Sequence, residues 1–196
     1  MNKIEHYLKL ATPQEIVNGL QWYRKAHKTV SQIADKYELK RLQVGGVLSA
    51  LSPAMKWETN VRYTDLACSL HYKGKPITKI RYNTYPAQVR KAQKILDLDK
   101  PTVKTVLGCL DNGNAQKTRA FFINILFPDR TPTVTIDRWI LRALKWHRIG
   151  SPTKNQYKAL EKQFRSVAIR YRLAPAQIQA IVWNVVRNLN IQEATA

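Results

Sequence analysis

Asn112-Gly113-Asn114-Ala115-Gln116-Lys117-Thr118, followed downstream by Ile136-Asp137-Arg138-Trp139, is the stretch on which the reading of this chain turns. Helical patterns flank its first part at about 101–110 and 115–127, so it reads as the turn of a helical hairpin over about 101–127. Lys117 then falls on the first turn of the second hairpin helix, and Asp137 opens a later helix. The exposed amides at such a helix start, together with the positive end of its dipole, bind an anionic oxygen. Gly113, Asn114, Ala115, Gln116, Thr118 and Arg119 are therefore candidate phosphate-clamp residues. Contacts of this kind fix position and register and carry no sequence information.

The net charge agrees. Thirty-three Lys and Arg against 13 Asp and Glu give a formal charge of +20, and the sequence pI is near 10.2. Such a surplus repels itself in a compact chain unless a polyanion offsets it, and a nucleic-acid backbone is the usual polyanion. A basic protein whose charge only keeps it dispersed satisfies the same composition. Hydrophobic content of 44% and charged content of 23% belong to a globular fold rather than a disordered tail. No apolar run approaches the roughly 20 residues needed to span a bilayer, and the amino terminus lacks an apolar signal core, so the expected setting is cytoplasmic, with no membrane partner. Cys68 and Cys109 alone cannot hold a cluster or a four-thiolate zinc and read as small buried hydrophobes, while His6, His27, His71 and His147 are scattered. No metal and no cofactor is expected.

Periodicity predicts an all-α protein. Thr12-Pro13-Gln14-Glu15 joins a capping box to a proline at the first helical position and starts a helix over about 13–27. Further helices are expected at about 31–37, 39–51, 58–72, 87–96, 138–147, 152–172 and 175–189, with a basic, period-two segment at 77–83 that reads as extended or as a loop. Ser52-Pro53 ends the 39–51 helix. The Gly45-Gly46 pair inside that helix has no side chains to pack, which predicts a close approach by another helix or by DNA, core packing being the favoured cause. The whole, 1–196, reads as one helical domain with two lobes and a cleft between them, acting as a monomer.

Several blocks occur in the order found in helix-hairpin-helix DNA glycosylases of the endonuclease III type. Val47-Leu48-Ser49-Ala50 followed by Asn60-Val61 resembles the family's L-L-S-A-Q…V-N segment. Tyr85 with Arg90-Lys91-Ala92-Gln93-Lys94-Ile95 resembles its Y-N-x-K-A-x-x-I block. The 112–118 stretch resembles the hairpin P-G-V-G-x-K-T, and Ile136-Asp137-Arg138-Trp139-Ile140-Leu141-Arg142 resembles V-D-T-H-V-x-R. The resemblance covers about 44–144. Departures are Ala115 for the second hairpin glycine, Asn114 for its apolar centre, Leu51 at the wedge glutamine, Trp139 for the histidine after the aspartate, and no cluster-ligating cysteines. The segment from Leu173 to Trp183 resembles the tail of small phage proteins related to these glycosylases, which implies a viral protein working in an infected bacterium.

That resemblance implies duplex DNA as partner and a target base flipped from the stack at a cost of a few kcal/mol. Lys117 would attack the sugar C1′ as a neutral amine, releasing the base and leaving a Schiff base open to strand cleavage. Asp137 would stabilise positive charge on the sugar or deprotonate the nucleophile. Leu51 would wedge the duplex, and Arg90, Lys91, Arg138 and Arg142 would contact its backbone. Ser49, Trp57, Asn60 and Trp139 would line the base pocket, with Trp22 and Tyr63 as further stacking candidates. Each basic or aromatic position has a plainer reading as surface charge or core, and an aspartate at a helix start is explained by capping alone, worth roughly 1 kcal/mol. A phage base-modifying enzyme on the same fold, or a DNA-binding protein without base chemistry, would share these features.

Overall fold

The computed structural model describes residues 2–79, 81–111, 113, 115–146 and 150–195. Among them the secondary structure is helical throughout: α1 Lys3–Leu10, α2 Pro13–Lys36, α3 Arg41–Leu51, α4 Trp57–Tyr72, α5 Pro86–Leu96, α6 Val103–Leu110, α7 Gln116–Leu126, α8 Arg138–Ala143, α9 Lys154–Tyr171 and α10 Pro175–Thr195, with a 3₁₀ turn at Ile77–Lys79. The contacts fall into two compact units, one made of residues 1–25 with 127–196 and the other of 26–126.

In the 26–126 unit, α3 is the hub. Its residues from Gln43 to Leu51 are all buried, with α4, α5, α6 and α7 packed around it. A helix enclosed on every side needs no polar stripe, which is why its sequence shows so little amphipathic character. The Gly45-Gly46 pair is where neighbours come closest: a Cβ on Gly46 would lie 2.6 Å from Val106 Cγ1 and 3.0 Å from Ile95 Cγ2. The expected close approach is thus made by α5 and α6 at Gly46 and by α7, through Leu126 at 3.2 Å, at Gly45. Gln43 Nε2 donates to the carbonyls of Leu96 at 3.0 Å and Leu98 at 3.3 Å, satisfying the end of α5.

The other unit buries Ile4, Ile140, Phe164 and Val182 in one cluster, joining α1, α8, α9 and α10. The buried strand-like stretch before Asp137, around Val134 and Ile136, finds no sheet partner among the described residues. Side chains on one face of α9 substitute for one. Tyr157 OH donates to Val134 O at 2.7 Å and accepts from Ile136 N at 3.0 Å. Glu161 Oε1 accepts from Val134 N at 3.1 Å, and Arg165 donates to Pro132 O at 3.2 Å. Buried backbone groups must be paired, and positions 157, 161 and 165 recur at the helical i, i+4 spacing.

The elements differ from the sequence reading at four places. α1, capped by Asn2 Oδ1 on Ile4 N at 3.0 Å, was not foreseen. The helices expected at 13–27 and 31–37 are one, because nothing between them breaks a helix and Val30 is buried. Of the two readings of 77–83, extended piece or loop, the extended one is set aside: the segment opens as a 3₁₀ turn, its Ile77 N–H held by Gln93 Oε1 at 2.8 Å. α8 stops at Ala143, with Lys145 in the left-handed region at φ 52°. His147, in the stretch first read as helix, lies outside the described residues. The α2 start is as the sequence suggested: Thr12 N–H donates to Glu15 Oε2 at 2.8 Å and Glu15 N–H to Thr12 Oγ1 at 3.3 Å.

Candidate functional site

The hairpin consists of α6, the turn at 111–115 and α7. Gly113 has φ +85°, a left-handed conformation that glycine adopts without strain and that explains its presence. Its N–H donates to Asp111 Oδ1 at 2.9 Å, an Asx turn. The second carboxylate oxygen of Asp111 lies 2.6 Å from Arg119 Nη1. An internal carboxylate thus occupies both an amide and a guanidinium assigned to a phosphate clamp. Ala115 and Thr118 are largely buried, and Thr118 Oγ1 donates to Ala115 O at 3.0 Å. The Gln116 amide nitrogen is buried without a hydrogen-bond partner. Asn114 lies outside the described residues.

Lys117 is half-buried on the first turn of α7. Its Nζ donates to Ser52 Oγ at 3.2 Å and stands 5.6 Å from the Phe121 ring centroid. Ser52 in turn donates to Ser49 O at 2.9 Å, so the turn that ends α3 supplies the amine's neighbour. Lys91 is also tied inward: its Nζ donates to Leu110 O at 2.8 Å, which caps α6 just before the hairpin turn. Burial lowers its pKa, partly countered by Asp111.

Within the other unit, Asp137 is the N-cap of α8. Its Oδ1 accepts from the amides of Trp139 at 2.9 Å and Ile140 at 3.0 Å, and its Oδ2 accepts from Trp183 Nε1 at 2.9 Å. The guanidiniums of Arg138 and Arg142, both exposed, lie 5.7 and 4.7 Å from the half-buried Trp139 ring. Arg187 lies 4.4 Å from the Trp183 ring and Trp22 6.2 Å from it, edge-on. Cation–aromatic stacking on the indole rings makes this side of Asp137 basic and planar.

Three residues expected at a duplex or base are in the core of the 26–126 unit. Leu51 and Ser49 have 0% exposure and Asn60 2%. Leu51 therefore has no surface with which to wedge a base step in this arrangement. Asn60 Nδ2 donates to Leu48 O at 3.0 Å, and neither its Oδ1 nor Ser49 Oγ has a hydrogen-bond partner. Trp57 and Tyr63 are half-buried on α4, Tyr63 stacking edge-on with Tyr82 at 5.2 Å. Arg90 is exposed on α5. Burial pushes the Cys68 thiol up to about 12, consistent with a small buried hydrophobe, whereas Cys109 is half-buried.

Sequence reasoning missed Asp111, Ser52 and Trp183 as partners of the candidate groups. Asp111 was legible in principle, since Asp two residues before glycine is an Asx-turn signal. Ser52 and Trp183 are 65 and 46 residues from their partners and carry no local signal.

The chain belongs to the DUF7178 family, a family of unknown function whose model matches residues 1–190. No curated protein and no solved structure matches it. Among the described residues, no helix is long and apolar enough to cross a membrane.

Proposed function

We propose that the chain is a bilobal, cleft-forming helix-hairpin-helix DNA glycosylase, with Lys117 as nucleophile and Asp137 as the assisting carboxylate. The observation that carries this reading is the placement of Lys117: a half-buried amine on the first turn of a hairpin helix, with Ser52 Oγ 3.2 Å from its Nζ and the Phe121 ring beside it. Attack requires the neutral amine. In the reaction, the Lys117 nitrogen bonds to the sugar C1′ while the N-glycosidic bond breaks and its electron pair leaves with the base, which takes up a proton. Opening of the sugar ring gives the iminium, and loss of an amine proton balances the charge. Asp137 offsets the positive charge that develops on the sugar.

One observation favours a second reading, a DNA-binding protein without base chemistry. Both carboxylate oxygens of Asp137 are engaged by three donors in its own unit, which is a complete structural role. One set of variants separates the two. Borohydride should trap wild type on DNA carrying the substrate base, and Lys117→Gln should bind the same DNA without forming an adduct. Asp137→Asn keeps the capping oxygen but loses the acceptor for Trp183 Nε1, so the melt should fall somewhat, and single-turnover base release, compared well below the variant's melt, should drop by at least about 10²-fold. Normal turnover by both variants would place the chemistry elsewhere, and absence of any adduct across a panel of modified-base duplexes would favour the binding protein.

A further inference from the structure

An open depression of about 590 Å³ lies within the 26–126 unit, between Ala54 and the 78–90 segment. That volume is in the range of roughly 300–1,000 Å³ typical of small-molecule clefts. At its rim Tyr85 is 63% exposed, an unusual position for a large ring. The exposed guanidiniums of Arg81 and Arg90 stand in the same wall, and no carboxylate lines it. Neither arginine pairs with an acid among the described residues, so both guanidinium forks are open to an anion. Tyr82, only 5% exposed, also lines the depression, and its hydroxyl has no hydrogen-bond partner.

The wall is held in place. Thr84 Oγ1 donates to Pro53 O at 3.2 Å, fixing the segment to the turn after α3. Tyr85 precedes Pro86 at the first position of α5 and sits in the extended region at φ −68°, ψ 138°. A residue before proline is confined to such conformations, so the ring is presented with little backbone freedom to lose on binding. An exposed aromatic beside two unpaired guanidinium forks combines a stacking platform for a planar base with donors matched to a phosphate.

We propose that this depression binds a single nucleotide, its base stacked on Tyr85 and its phosphate held by Arg81 and Arg90. The ligand is either a free nucleoside monophosphate or an unpaired nucleotide within a strand. The proposal goes beyond the glycosylase reading and does not depend on the chemistry of Lys117, although Lys117 touches the same 52–54 turn from Ser52.

Isothermal titration of the full chain at low ionic strength with dTMP, dAMP, thymidine and inorganic phosphate tests it. Both monophosphates should bind at least about tenfold more tightly than thymidine or phosphate alone, and Tyr85→Ala and Arg81→Ala should each weaken them at least about tenfold. Both side chains are exposed, so the thermal melts should stay unchanged. Phosphate binding as tightly as the nucleotides would reduce the site to an anion patch and overturn the proposal, as would unchanged affinity in Tyr85→Ala. A short single strand compared with the same strand in a duplex identifies the source: a Tyr85-dependent preference for the unpaired strand assigns a strand nucleotide, and its absence, with the monophosphates still bound, assigns the free nucleotide. Lys117→Gln should bind the monophosphates as wild type does, so failure of the glycosylase reading leaves this result readable.

Discussion

Asp111 sets the terms on which the hairpin can receive an anion. Its carboxylate takes up the Gly113 amide and pairs with Arg119, so an arriving phosphate meets a negative group at the donors it would use. Between exposed charges such a repulsion is modest, on the order of 1 kcal/mol. Asp111→Asn retains an acceptor for Gly113 and removes the charge. Duplex binding followed by fluorescence anisotropy should tighten about two- to tenfold at low salt, and weaker binding would mean that Asp111 shapes the clamp instead of competing with phosphate. The same carboxylate shows which residue roles a sequence reveals. Asp111 and Asp137 act on amides two or three positions away, within reach of any local pattern. The Trp183 indole that engages Asp137 from 46 residues downstream is not, because only the packing of α10 brings it there.

At the level of elements, the all-helical class was legible because most helices carry their own start and stop: Thr12 to Glu15, Ser52-Pro53, Pro86, Pro175. What stayed hidden was tertiary. Nothing local says that 13–27 and 31–37 are continuous, or that α9 serves the backbone of a strand-like stretch. α3 tests the packing argument. Gly46→Ala would push a methyl against Val106 and Ile95, and since both contacts are side chains within a crowded core, chemical denaturation should show a loss of about 1–3 kcal/mol. α9 supplies a pH test. Burial holds Glu161 above its usual value of 4.5, with the Val134 amide and Arg165 offsetting only part of the effect. A carboxyl raised in the folded state binds its proton more tightly folded than unfolded. Its contribution is therefore complete below the ordinary carboxylate range and lost as pH rises through the raised value. Glu161→Gln keeps an acceptor for Val134, so its Tm relative to wild type should climb as pH rises above the ordinary value of 4.5. A difference independent of pH would contradict the assignment.

Across the whole molecule the dominant quantity is the charge of +20. If phosphate backbone is what offsets it, the logarithm of duplex affinity should fall against the logarithm of salt with a slope of magnitude about 4 or more, from about five neutralised phosphates. A flat response in filter binding would remove the electrostatic case for DNA altogether. Two lobes were expected, but which residues make each unit was not legible, because that depends on which distant segments meet: one unit is the unbroken stretch 26–126, and the other is assembled from 1–25 and 127–196. That division also orders synthesis. The inserted unit has every residue it needs once position 126 has left the ribosome, and domains that fold as units can do so while translation continues. Ile4, made before either, must wait for Phe164 and Val182 before its apolar surface is covered. While 127–196 is still being made, the 1–25 segment is therefore the one that needs shielding, and its closure carries the high sequence separation that slows folding.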